Sequence, residues 1–167
     1  MQELFPPVTW VLKKSLLRIP GFGWGLAALD PVAIDRKARK KAMQQVIDQG
    51  RERLAEGWNL VIFPEGTRIA PGKMGKFKLG GARLAVETGF PAVPVALNPG
   101  EFWRRHSFLK YPGVITVVIG EPINPAGKTA EEVNGEALAF IVEQMDRITT
   151  LEGVSYANQK PAETQSA

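Results

Sequence analysis

Residues 60–68 read Leu60-Val61-Ile62-Phe63-Pro64-Glu65-Gly66-Thr67-Arg68. The run Leu60-Val61-Ile62 has the unbroken apolar character of a strand buried on both faces, as in a parallel sheet. Open α/β sheets bind their ligands beyond the carboxyl ends of the strands, and that is where Phe63–Arg68 falls. The residue types suit an anion. Pro64 fixes the backbone, Gly66 lets the chain come close, Thr67 brings a hydroxyl and Arg68 a planar fork of donors. Glu65 adds a carboxylate that a bare anion trap would not hold, so the pattern points to a ligand with both phosphate and hydroxyl groups.

Outward from this strand, strand and helix patterns alternate. Val8 to Leu17 predicts a short amphipathic helix, with Trp10, Val11 and Leu12 apolar and Lys13, Lys14 and Arg18 basic, ended by Pro20-Gly21. Phe22 to Leu29 is aromatic, glycine-rich and uncharged. Val32-Ala33-Ile34 is a short strand ending at Asp35-Arg36. The basic block Arg36, Lys37, Arg39, Lys40 and Lys41 then opens a helix whose apolar stripe is Met43, Val46, Ile47 and Leu54, with Gly57 as C-cap. After the central strand, a loop from Pro64 to about Lys78 carries Lys73, Lys76 and Lys78 and is long for a strand-to-helix connection. A helix over Gly81 to Thr88 is closed by Gly89, and Ala92 to Leu97 is a strand in which Pro94 marks an edge or a start. Val114 to Ile119 gives the strongest strand signal. The last helix starts at Thr129, which forms a capping box with Glu132, and buries Leu138, Ile141, Met145 and Ile148. The expected architecture is α/β, with a mostly parallel sheet covered by helices over residues 1–150 and a disordered polar tail over 151–167.

The bulk numbers narrow the function classes. A length of 167 residues suits one domain, and 44% hydrophobic residues are enough for a real core. A net charge of +4 favours anionic partners without choosing among nucleic acid, phospholipid headgroups and phosphorylated metabolites. The absence of cysteine excludes disulfides, thiolate catalysis and Cys-type zinc sites. Met1-Gln2-Glu3-Leu4-Phe5, acidic and followed by two prolines, does not read as a signal peptide. No run of about 18 apolar residues occurs, so no transmembrane helix is predicted. The sequence has no helix-turn-helix signature, RNP-like aromatic pattern or zinc spacing, and nucleic acid is not an expected partner. Neither glycine-rich nucleotide-binding fingerprint occurs.

Three blocks in order support a family resemblance: Val32-Ala33-Ile34-Asp35-Arg36; Phe63 to Arg68 with Lys76-Phe77-Lys78 and Gly80-Gly81-Ala82 after it; and Val93-Pro94-Val95. Over roughly Leu4 to Ile123 the chain resembles the phospholipid-glycerol acyltransferase family, of the 1-acylglycerol-3-phosphate acyltransferase type. The resemblance implies acyl transfer from acyl-CoA or acyl-ACP to the free hydroxyl of a lysophospholipid acceptor in phospholipid biosynthesis. It implies no metal and no bound cofactor, with the acyl thioester as cosubstrate. A membrane surface is an implied partner, acyl carrier protein a further one, and a peripheral position on the cytoplasmic face of the membrane the implied location.

One block departs from the family. The family's first motif is a histidine, the general base, with an acid four residues on, a short distance ahead of a segment like Phe5-Pro6-Pro7. The sole histidine of this chain, His106, lies in Phe102-Trp103-Arg104-Arg105-His106, and four residues on stands Lys110. The base role is therefore not assigned to His106, which reads as a surface or packing residue, and no catalytic residue is assigned. The expectation is a chain missing its N-terminal elements and, by itself, weak or inactive. The alternative is a non-catalytic module that binds phospholipid headgroups or a membrane surface.

The substrate-binding candidates are Arg36, Glu65, Gly66, Thr67, Arg68 and Lys78. Arg68 is the first choice for the acceptor phosphate; otherwise it is a surface arginine paired with Glu65 or another acid. Arg36 closes a neighbouring strand and resembles the family's phosphate-contacting position, or belongs to the solvated basic block. Glu65 orients the acceptor's glycerol or braces an arginine. Gly66 and Thr67 contribute backbone and hydroxyl, or form a plain turn. Lys78 touches phosphate or headgroups, or is simply solvated. Trp10, Phe22 and Trp24, flanked by Lys13, Lys14 and Arg18, rest on an anionic bilayer or fill the core.

Overall fold

The computed structural model describes residues 3–29, 31–34, 40–104 and 107–159, leaving aside the side chains of residues 40 and 41. The chain forms two compact units, one of residues 1–62 and 83–90 and the other of residues 63–82 and 91–167.

The first unit is built on three parallel strands, β1 (Val8–Lys13), β2 (Val32–Ile34) and β3 (Asn59–Val61), in the order β2-β1-β3. Val11 pairs with Val32, and Thr9 with Leu60. The segment expected as an amphipathic helix over Val8 to Leu17 is therefore a central strand, followed by a 3-10 turn over Lys14–Arg18. The β-branched residues Val8, Thr9 and Val11 and the aromatic Trp10 favour extended backbone. A strand on each side takes up the hydrogen-bonding groups of this one, and Val8 and Thr9 are buried. Tertiary pairing here outweighs the helical spacing of a few apolar residues.

The sheet edge at β2 is closed by a side chain. Ala33 N–H donates to Gln49 Oε1 at 3.2 Å, and Gln49 Nε2 donates back to Ala33 C=O at 3.5 Å. Gln49 lies on helix α2 (Lys40–Ala55), which follows the short helix α1 (Phe22–Ala27) and packs against β2 and β3. The expected stripe of α2 is the observed one: Met43, Val46, Ile47 and Leu54 meet Val11, Ile34, Leu60, Ile62 and Leu84 in the core. Gly57, at φ 82°, ends the helix in the left-handed conformation expected of a C-cap glycine. Leu84 comes from α3 (Gly80–Thr88), close to its expected span. Of the aromatic residues near the N-terminus, Trp10 is half-buried whereas Phe22 and Trp24 are exposed, so the latter two do not fill the core.

In the second unit, β4 (Val95–Leu97) pairs antiparallel with β5 (Val117–Ile119), with Val95 opposite Ile119. Pro94 immediately precedes β4, as its missing N–H requires. The expected strand over Val114 to Ile119 is half its predicted length. The partner ends where Pro99 opens the short helix α4 (Pro99–Phe102), and Asn98 Oδ1 accepts the Thr116 N–H at 2.8 Å. Val114 and Ile115, left without a neighbouring strand, are exposed. Helix α5 (Ala130–Ile148) packs on β4 and carries the predicted capping box, with both Thr129–Glu132 hydrogen bonds present.

Residues 151–159 depart from the expected disorder. Tyr156 is buried, and Asp146 on α5 accepts hydrogen bonds from Ser155 Oγ and from the Tyr156 and Ala157 N–H groups. Gly72 N–H donates to Tyr156 Oη at 3.1 Å, Met74 N–H to Gln159 Oε1 at 2.9 Å, and Gln159 Nε2 to Gly72 C=O at 2.7 Å. This polar segment is ordered because it satisfies backbone groups of the 69–75 loop that no strand or helix reaches. The rest of the expected tail, 160–167, lies outside the described residues.

Candidate functional site

The hexapeptide opens with a tight turn. Gly66 N–H donates to Phe63 C=O at 3.0 Å, with Pro64 in the second position, where its fixed φ fits. Gly66 sits at φ 66°, a conformation that side chains with a Cβ resist. The far end of the long basic loop folds back onto this turn. Lys78 N–H donates to Pro64 C=O at 2.9 Å, and the Lys78 ammonium lies over Gly66, where a Cβ would stand 2.8 Å from Nζ. Glu65 is half-buried, and burial pushes its carboxyl above the usual carboxylate value. Gly75 faces its stem, where a Cβ would stand 3.4 Å from Glu65 Cγ. A half-buried Glu of raised pKa and a lysine folded over the glycine of the same turn suit a polar, partly anionic ligand.

Arg68 leaves the turn in another direction. Its guanidinium lies 5.7 Å from the centroid of the Trp103 ring, and Lys110 Nζ lies 4.6 Å from the same centroid. One indole thus gathers two cations, which the ring quadrupole favours and mutual repulsion opposes. Trp103 is fixed in turn: its Nε1–H donates to Ser107 C=O at 2.9 Å. Arg68, Trp103, Ser107, Phe108 and Lys110 line a hollow of about 540 Å³, within the range of small-molecule sites. Two cations beside an aromatic wall form a place for an anionic head with an apolar extension.

The structure therefore brings Glu65, Gly66 and Lys78 together at the turn and sends Arg68 to a hollow whose other walls come from residues 103–110. Thr67 is exposed on the turn. Arg36 and His106 lie outside the described residues. The sequence reading missed Trp103, Ser107, Phe108 and Lys110. The signal available was an aromatic-basic cluster between Glu101 and Glu121 with three Arg or Lys residues and no acidic one. Among the described residues no group of His, Asp or Glu is placed to hold a metal ion.

Comparison with known proteins shows the family. The acyltransferase family model matches residues 1–98. A 1-acyl-sn-glycerol-3-phosphate acyltransferase of Pseudomonas aeruginosa is 46% identical over 155 residues, covering 91% of this chain and 60% of that protein. One from Cocos nucifera is 31% identical over 125 residues, covering 74% of this chain and 41% of that protein. The crystal structure of a 1-acyl-sn-glycerophosphate acyltransferase from Thermotoga maritima superposes with a TM-score of 0.70 at 28% identity, covering 86% of this chain and 57% of that one. The chain spans 60% or less of the length of these relatives. With an α/β core, the Phe63–Arg68 turn at a strand end and a family match over 1–98, the chain belongs to the acyltransferase family.

Proposed function

We propose that the chain binds the phosphate of a 1-acylglycerol-3-phosphate acceptor, for acyl transfer from acyl-CoA or acyl-ACP to the acceptor's free hydroxyl. In that reaction the hydroxyl oxygen bonds to the thioester carbonyl carbon, the carbon–sulfur bond breaks, and the thiol leaves with a proton. The observation that carries the reading is the pair of cations, Arg68 and Lys110, held on Trp103 at the edge of a 540 Å³ hollow. Arg68 grips phosphate oxygens through its fork, and Lys110 adds a second positive charge. Lys78 and Glu65, at the neighbouring turn, serve the glycerol end, the carboxyl orienting it by hydrogen bonding and the ammonium offsetting the ligand's charge. The acyl thioester is a cosubstrate, no resident cofactor is invoked, and the reaction belongs on the cytoplasmic face of a membrane, to which the chain attaches peripherally. Among the described residues no helix is long and apolar enough to cross a bilayer.

The test is calorimetric titration of a short-chain 1-acylglycerol-3-phosphate into wild type and Arg68→Ala. Loss of a charge-assisted contact worth about 1.5–3 kcal/mol lowers affinity by roughly tenfold to a hundredfold. The acceptor lacking phosphate should not bind to either. Equal affinity in Arg68→Ala and wild type defeats the assignment. The same preparations are then given acyl-CoA or acyl-ACP. The sequence holds no histidine with an acid four residues on, so the chain by itself is expected to turn over slowly or not at all. Rapid turnover would show that another group takes the proton. Headgroup binding without transfer, in the full gene product as well, would establish a non-catalytic lipid-binding module instead.

A further inference from the structure

The 102–115 segment of the second unit presents apolar side chains that the protein leaves uncovered. Phe108 is fully exposed, Leu109 is 67% exposed and Val114 is 78% exposed, with Trp103 and Tyr111 about half exposed. A row of this kind is unusual on a soluble surface and marks a contact with something apolar. The same segment is basic, with no acidic residue between Glu101 and Glu121.

We infer that Trp103 and Arg104, together with residues 107–111, form a bilayer-docking element that seats Phe108 and Leu109 among the acyl chains of an anionic membrane while Arg104 and Lys110 meet its lipid phosphates. The charge fits such a surface and no other apolar partner as well: cations flank the apolar tip, and each is stacked on an aromatic ring that itself favours the interface. Arg104 lies 6.0 Å from the Tyr111 ring centroid and Lys110 lies 4.6 Å from that of Trp103. Tryptophan and tyrosine are enriched at the headgroup level, and lysine and arginine reach from there to phosphate. Among its described residues, several polar groups are also paired internally, where water would be scarce. Tyr111 N–H donates to Phe102 C=O at 2.8 Å, Trp103 Nε1–H to Ser107 C=O at 2.9 Å and Leu109 N–H to Ser107 Oγ at 3.1 Å. Polar groups already paired do not oppose transfer into a low-dielectric layer.

The inference extends the reading of Arg68 as the phosphate grip. Trp103, Phe108 and Lys110 belong both to the loop and to the wall of the hollow, so an acceptor lipid meets the two cations with its acyl chain still in the bilayer.

The chain contains no cysteine, so a single one can report on a single place. Leu109→Cys carries an environment-sensitive fluorophore, with Glu131→Cys on α5 as the control. Phosphatidylcholine vesicles are supplied with and without phosphatidylglycerol. The expected result is a blue shift at position 109 and not at 131, requiring the anionic lipid and quenched by spin labels on the acyl chains. Leu109→Ser weakens vesicle binding by roughly tenfold through lost apolar burial and leaves affinity for the water-dispersed short-chain acceptor unchanged. An unshifted probe at 109 on vesicle-bound protein overturns the inference, as does vesicle binding that Leu109→Ser does not alter. A shift induced instead by a protein in the absence of lipid also overturns it. Because the short-chain acceptor needs no bilayer, failure of the docking loop and failure of the Arg68 site give different results.

Discussion

Arg68 and Lys110 both lie over the Trp103 indole, and their place there bears on the ligand proposed for the hollow. In the proposed reading, a phosphate within reach of both offsets their mutual repulsion. Gly66 contributes by backbone shape. At φ 66° an alanine costs about 1–2 kcal/mol, and its Cβ also meets the Lys78 ammonium, 2.8 Å away, which can swing aside. Gly66→Ala is therefore expected to lower urea-unfolding stability by about 1–2 kcal/mol, whereas Gly66→Asn, which tolerates the left-handed region, loses less. Equal losses would show that crowding, not backbone conformation, sets the effect. Glu65 gives a test with a defined sign. Burial raises its pKa in the fold, so its proton is held more tightly there than in the unfolded chain. Its contribution is most favourable below the unfolded value and declines as pH rises toward the raised folded value. The stability of Glu65→Gln relative to wild type should accordingly improve as pH rises from 4 into the neutral range. A difference that does not change with pH would mean that Glu65 titrates as it does in the unfolded chain. The Gly66 turn was legible in the sequence because a Pro-x-Gly turn is local. Trp103 and Lys110 were not, because their role depends on a loop closing over a residue some 35 positions away, and no short-range pattern encodes that.

At the scale of elements, α4 and the end of α5 are tied together by one buried carboxylate. Glu101 Oε1 accepts from Thr149 Oγ1 at 2.7 Å, and Oε2 accepts from Thr150 N–H at 2.9 Å and Thr150 Oγ1 at 2.7 Å. Burial works against its ionisation, but the hydrogen bonds from Thr149 and Thr150 outweigh it, and the pKa lies below the usual value. The sign is opposite to that of Glu65. This carboxylate contributes stability above the unfolded pKa and loses it as pH falls through the lower, folded value. Glu101→Gln puts an amide N–H against donors and should lower stability by about 2 kcal/mol at neutral pH, with the gap to wild type narrowing at acid pH. A gap that persists below the titration range would assign the loss to packing. The elements themselves were read unevenly from the sequence, and the reasons differ. Helix α2 carried a stripe and α5 a capping box that the structure reproduces, because an amphipathic face and a capping box are set within a few turns. Strand β1 was mistaken for a helix because six residues of mixed polarity leave the period ambiguous, and only pairing on both edges decides it. The strand at Val114 was overextended because strand propensity says nothing of where a partner stops. Tyr156 and Gln159 hid in a polar stretch whose order comes from the loop they hold.

Charge at the scale of the whole chain is only mildly basic, +4, and by itself chose no partner. Its arrangement is more informative: the loop before β5 is free of acids, and the turn after β3 has the Lys78 ammonium folded over Gly66. In the proposed readings two anion contacts of different kind follow, the long-range attraction of Arg104 and Lys110 to a charged membrane and the direct grip of the Arg68 fork on one phosphate. Screening separates them. The Debye length falls from about 10 Å at 0.1 M to about 3 Å at 1 M salt, which weakens attraction across a charged surface far more than a direct contact at hydrogen-bond distance. Raising salt across that range should therefore reduce binding to phosphatidylglycerol vesicles by more than roughly tenfold, with a much smaller change in affinity for the short-chain acceptor. Paired titrations of the same preparation measure both slopes. Matching slopes would mean that the cations of the hollow are as solvated as those of the loop, and Arg68 would then be a surface charge like any other. A steep slope for vesicles alone would place the phosphate grip and the membrane contact in separate electrostatic environments, which is what a lipid acceptor drawn from a bilayer into a walled site requires.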